Sequence, residues 1–126
     1  MRLLVDTHAL LWWLAGNAKL SSPAREAIAA HDAYVSAATA WEVTTKVRIG
    51  KLPEATLLAS QFSEHIWREG FLALPITVEH AARAGNLVGP HRDPFDRMLI
   101  AQAQAEDLIL VSNEAVFDSY GVQRVW

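Results

Sequence analysis

Four acidic residues are the first candidates for chemistry: Asp6 directly after the apolar run Leu3-Leu4-Val5, Glu42 in Ala40-Trp41-Glu42, Asp96 in Asp93-Pro94-Phe95-Asp96, and Glu114 after Val111-Ser112-Asn113. Carboxylates are hard oxygen donors. Within a few ångströms of one another they repel and raise each other's pKa, and a divalent ion such as Mg2+ or Mn2+ is the simplest neutralisation. One or two such ions at a phosphodiester activate a water and stabilise the leaving oxygen of an in-line displacement. Thr7 and Ser112 supply hydroxyls beside the acids, suited to holding a carboxylate or a water. Asp93 suits the cap of a following helix, with an outer-shell role also open. His8, two residues after Asp6, is read as a packed or hydrogen-bonded ring rather than a ligand.

These acids can act together only if the fold gathers them. In open parallel sheets ligands collect beyond the carboxyl ends of the strands. Leu3 to Val5, Tyr34-Val35, Phe71 to Ile76, Leu108 to Val111 and Val122 to Trp126 are short apolar runs that predict buried strands. Between them stand helical signals. Ser22-Pro23 reads as a cap followed by proline at the first helical position, and Gly50 and Gly70 stand where helices should end. Leu58, Phe62 and Ile66 recur every four residues and predict one amphipathic helix over Ala55 to Glu69. Asp93 as N-cap and Pro94 at the first position start another, continued by Met98, Leu99 and Ile100. Strands alternating with helices imply an α/β fold whose parallel sheet is covered on both faces. Asp6 and Ser112-Asn113-Glu114 then emerge at the carboxyl rim, and Glu42 and Asp96, early in their helices, point back to it.

The 126 residues are 52% hydrophobic and 20% charged, which fits one domain spanning 1–126 with a core that needs no staple. The absence of cysteine removes disulfides, thiolate metal sites and cysteine nucleophiles, and makes the reducing cytosol the expected compartment. No run reaches the length of a membrane span, and Asp6 and His8 interrupt the apolar opening where a signal peptide needs unbroken hydrophobicity, so a soluble, cytoplasmic protein is expected. A net charge of −3 gives no general attraction to nucleic acid. Phosphate contacts must be local: Arg92 and Arg97 flank the Asp93–Asp96 turn, and Lys46, Arg48 and Lys51 follow Glu42, with Arg97 the first choice.

Taken together, Leu-Val-Asp6-Thr-His8, Ala40-Trp41-Glu42, Asp93-Pro-Phe-Asp96-Arg-Met-Leu-Ile-Ala-Gln and Leu-Val-Ser112-Asn113-Glu114 resemble the PIN-domain ribonucleases, specifically the VapC-type toxins of bacterial toxin–antitoxin pairs. The resemblance runs the length of the chain. It implies a three-layer α/β/α sandwich around a mostly parallel sheet and Mg2+- or Mn2+-dependent cleavage of RNA. Asp6, Glu42 and Asp96 would be the core acids and metal ligands, and Glu114 the fourth catalytic acid. It also implies a cognate antitoxin and a homodimer. Glu114 departs from the aspartate more usual there, and its extra methylene leaves Asp118, four residues on, as a substitute.

Structural readings stand beside each of these. Asp6 could be a turn residue, Glu42 could pair with Lys46 one helical turn later, and Asp96 could complement a helix dipole. A phosphoacceptor signalling domain would share the fold class and length. It needs an acid pair after the first strand, an aspartate after the third and a late lysine, whereas Thr7 follows Asp6, Phe71 to Ile76 ends without aspartate, and no lysine follows Lys51. No Gly-x-Ser-x-Gly elbow or Gly-x-Gly-x-x-Gly turn is present. A non-enzymatic α/β signalling or interaction domain stays as the alternative. Of the five tryptophans, Trp41, Trp67 and Trp126 are expected in the core, while adjacent Trp12 and Trp13 cannot face the same way and offer an anchor for a partner helix.

Overall fold

Leu3, Leu4 and Val5 are all fully buried although successive strand side chains point to opposite faces, so the strand holding them is covered on both sides. The computed structural model describes residues 1–126 and supplies both covers. Five strands, β1 (Arg2–Val5), β2 (Asp32–Ser36), β3 (Leu72–Leu74), β4 (Ile109–Val111) and β5 (Arg124–Val125), form one sheet in the order β3-β2-β1-β4-β5. Every pairing is parallel, with Leu4 opposite Tyr34 on one side and Leu110 on the other. The helices are α1 (Thr7–Ala15), α2 (Ser22–Ala30), α3 (Ala37–Arg48), α4 (Thr56–Ser60), α5 (Phe62–Arg68), α6 (Val78–Asn86) and α7 (Pro94–Glu106). Short 3-10 turns cover Pro53–Ala55 and Ala115–Tyr120. Leu3, Val5 and Val35 meet Leu10, Ile28, Val43 and Phe62 on one face. Leu4 and Leu110 meet Leu99, Ile100, Ala103 and Phe117 on the other. This is the α/β/α sandwich expected from the sequence, with its sheet parallel throughout.

Local signals set the helix starts that matter for the site. Asp6 closes β1 and caps α1, its carboxylate accepting the Ala9 N–H at 2.8 Å. Asp93 caps α7 by accepting the Phe95 and Asp96 N–H groups, with Pro94 at the first position. Ser36 ends β2 and caps α3.

The structure corrects four local expectations. The single helix over Ala55 to Glu69 is two, broken at Gln61, whose backbone is non-helical (φ −145°, ψ 54°). The four-residue spacing of Leu58, Phe62 and Ile66 survives the break because all three still reach the core. The cap of α2 is Ser21 rather than Ser22, since its side chain accepts the Ala24 N–H. The strand in Phe71 to Ile76 shortens to β3, and it is an edge strand with Leu72 and Ala73 exposed, because only β2 pairs with it. Trp41 and Trp67 are not core residues but are 63% and 79% exposed. Trp126, also expected in the core, is only half-buried, as are Trp12, packed on it, and Trp13, packed on Phe71.

Candidate functional site

The parallel sheet sends β1, β2 and β4 to one rim, and the candidate acids leave from it. Asp6 stands at the end of β1, Ser112 and Glu114 follow β4, Glu42 lies in the second turn of α3 after β2, and Asp96 lies in the first turn of α7. Asp6 is 4% exposed and hydrogen-bonded through the N-cap. Burial pushes its carboxyl up to about 6; the Ser112 hydroxyl, the Ala9 N–H and His8 offset part of the rise, and the charge of Glu114 adds to it. Ser112 holds the turn as well, accepting the Glu114 N–H at 3.0 Å.

Asp96 is also pushed up to about 6. Burial is the main cause, partly countered by a hydrogen bond from His91, with the charges of Asp93 and Glu114 raising it further. Glu114, half-buried, thus acts electrostatically on both Asp6 and Asp96, carried by different elements. Glu42 is buried with both oxygens engaged: Oε1 accepts the Thr7 hydroxyl at 2.6 Å and Oε2 pairs with Lys46. The pairing with Lys46, one turn on, is the one weighed as the structural alternative for Glu42. Burial alone would depress Lys46; its bond to Glu42 and the charges of Asp93 and Asp96 outweigh that and hold the ammonium above its ordinary value.

The donor set suits a hard divalent ion. Every acid is an oxygen donor, burial raises the carboxyl pKa of buried Asp6 and half-buried Asp96, and hydroxyls from Thr7 and Ser112 stand behind the acids. As the side chains stand, no three of them close into a coordination shell. Lys46 and His91 each hold one carboxylate oxygen at this rim. His91 was not singled out in the sequence, though its place five residues before Asp96 in His91-Arg92-Asp93-Pro94 was there to read.

Other candidates fall elsewhere. Asp118 is exposed and forms a two-point ion pair with Arg124, which lowers its pKa and turns it away from the fourth-acid role. His8 is exposed with its ring 5.7 Å from that of Trp12. Arg97 is not a free phosphate grip: Nη1 donates to the His91 carbonyl at 3.0 Å and Nη2 to the Leu87 carbonyl at 2.5 Å. Arg92, Arg48 and Lys51 are exposed.

Residues 3–123 match the PIN domain family model. None of the curated proteins compared with the chain matches it. Solved structures resemble it throughout. VapBC2 from Rickettsia felis, bound to a DNA fragment from their promoter, superposes with a TM-score of 0.69 at 16% identity, covering 98% of this chain and 97% of that one. VapBC-1 from nontypeable Haemophilus influenzae gives 0.65 at 12% identity over 98% and 96%. DNA-bound VapBC from Salmonella typhimurium gives 0.61 at 16% identity over 98% and 96%. At these identities the likeness is one of fold.

Proposed function

The chain belongs to the PIN domain family, and from that premise we propose that it is a Mg2+- or Mn2+-dependent endoribonuclease of the VapC type, the toxin of a toxin–antitoxin pair. The observation that supports this reading is that Asp6, Glu42, Asp96 and Glu114 all leave from one rim of the parallel sheet, where burial pushes the Asp6 and Asp96 carboxyls up to about 6. Such a site is strained without a cation and suited to one. Asp6, Glu42 and Asp96 would hold the ion, Glu114 would complete the site, and Thr7, Ser112 and Asp93 would orient the carboxylates. The ion, when bound, supplies Lewis acidity toward a phosphodiester and its attacking water.

The residues do the remaining work. Ser112 fixes Asp6 and the turn to Glu114, and Thr7 fixes Glu42. Lys46 balances negative charge that would otherwise repel a phosphodiester. Exposed Arg92, with Arg48 and Lys51, would hold neighbouring phosphates. With a net charge of −3 the protein has little general affinity for a phosphate backbone, so cleavage should select a shape or an exposed single strand. The same reading gives the protein a cytoplasmic location, an antitoxin partner and a homodimeric state. The partner is supported by the VapBC assemblies among the similar structures.

Sequencing the ends cut from total RNA by the purified chain tests the proposal. Expected is discrete cleavage with Mg2+ that stops in excess EDTA. D6N and D96N should lose more than the roughly 10–100-fold that an outer-shell change costs, and Glu114→Gln less than either. Full activity in EDTA, or in D6N, would refute the metal-dependent mechanism at these acids, and no cleavage by the wild type with Mg2+ or Mn2+ would favour a non-enzymatic interaction domain.

A further inference from the structure

Residues 87–93 connect α6 to α7 with no regular secondary structure, yet this loop is pinned at several points. Arg97 of α7 reaches back to two of its carbonyls, those of Leu87 and His91. The Tyr120 hydroxyl, from the 3-10 turn after β4, accepts the His91 N–H at 3.1 Å. Gly89 runs against that same tyrosine with φ +145°, where a Cβ would stand 2.4 Å from its hydroxyl oxygen, so both the conformation and the space demand glycine. The His91 ring lies edge-to-face on buried Phe117, centroids 6.5 Å apart. These constraints converge on one contact, His91 Nε2 to Asp96 Oδ2 at 2.7 Å.

An irregular loop tied down by an arginine, a tyrosine and an aromatic face, and ending on one carboxylate oxygen, is built to orient that carboxylate. We propose that His91 is the positioning residue of Asp96, its Nε2–H holding Oδ2 so that Oδ1 is the oxygen left free for the cation, with Arg97, Tyr120 and Gly89 as the clamp that sets the ring. This inference rests on the metal-dependent reading of the same site. It gives Arg97 a different task from phosphate binding, since both terminal nitrogens are used inside the clamp. Partners of this kind fix the orientation and basicity of metal-binding side chains, and losing one costs roughly 10–100-fold in metal affinity.

The test is calorimetric Mn2+ binding to the purified full chain, with the side-chain 1H–15N spectrum of its histidines as a second readout. His91→Phe keeps a ring on Phe117 and removes the N–H; Mn2+ affinity should fall roughly 10–100-fold. His91→Gln, whose terminal amide can reach Oδ2, should recover most of that loss, which a purely structural role for the ring would not predict. In the spectrum, wild-type His91 should show a slowly exchanging Nε2–H that D96A abolishes, a measurement that needs no His91 variant to fold. An unchanged His91 signal in D96A, wild-type affinity in H91F, or no recovery in H91Q would overturn the assignment while leaving the metal reading in place. A wild-type chain without Mn2+ affinity would overturn both.

Discussion

Asp6 shows how one side chain can serve fold and site at a cost to stability. It caps α1, yet it is buried where its charge is poorly compensated, so its carboxyl is pushed up to about 6, well above the ordinary aspartate range. The unfolded chain releases this proton below the pH at which the folded chain does. Below about pH 4 both states hold it; between about 4 and 6 stability falls as pH rises, and above about 6 the loss is complete. Asp96 acts in the same direction. In the metal-free protein D6N, whose amide oxygen can still accept the Ala9 N–H, should therefore be more stable than wild type at pH 7.5, by about 2–3 kcal/mol. The difference should vanish near pH 4. Urea unfolding in EDTA at the two pH values measures it, and a D6N variant less stable than wild type at pH 7.5 would show that Asp6 carries no such penalty. Mn2+ should stabilise wild type and not D6N, since an ion that binds only the folded state raises its stability by mass action.

Between elements, the acids are aligned by a buried polar link. Gln102 of α7, fully buried, accepts the Ser36 hydroxyl at 2.5 Å and donates to the Pro75 carbonyl at 3.2 Å. Ser36 is also the cap of α3, so the link joins the helix carrying Glu42 to the helix carrying Asp96. Beside it His80 completes the capping box of α6 and bonds Glu106 at 2.9 Å. Gln102→Leu fills a similar volume but strands the Ser36 hydroxyl and the Pro75 carbonyl, which should cost about 1–3 kcal/mol. A lower midpoint in urea unfolding, together with a larger loss of Mn2+ affinity than an equally destabilising change at the buried Ile28 of α2 gives, would identify alignment rather than bulk stability as its task. Equal losses from both would leave it a plain core residue.

On the whole molecule, the two most exposed tryptophans, Trp67 and Trp41, each stand in an apolar surface depression. One runs from Trp67 over Ile66 and Ala73 to Ala37 and Ala40, along α5 and the β3 edge to the start of α3, and so ends beside the acid rim. On the proposed reading it is a second candidate seat for an antitoxin helix beside Trp12 and Trp13, which are half-buried on Trp126 and Phe71. The other lies between α3, α6 and α7, where exposed Trp41 packs edge-to-face on Phe95 at 5.0 Å beside Ile76 and Met98. On the proposed reading it is the candidate face for a second copy of the chain. Co-expressed with the product of its neighbouring gene, the wild type should copurify with it and leave growth unimpaired. Trp67→Glu should lose the partner and keep the dimer mass by light scattering, and Trp41→Glu the reverse. Retention of both assemblies in both variants would show that these patches are not the interfaces.

The sequence by itself determined the α/β class, the start of α7 and the emergence of Asp6 and Glu114 at strand ends, because these rest on local rules: strand length, capping chemistry and the alternation of elements. The PIN domain match belongs to the same level, since the ordered acids are a pattern in one dimension. Tertiary structure decided what depends on packing, between residues near in the chain as well as distant ones. It broke the predicted helix at Gln61, exposed β3 by giving it a single partner, and exchanged the exposures of Trp41 and Trp67 with those of Trp12 and Trp13. It also gave Arg97 to a loop, Asp118 to Arg124 and His91 to Asp96. A charged or aromatic side chain reads the same in sequence whether it faces solvent, a carbonyl or a carboxylate, and only packing chooses among them.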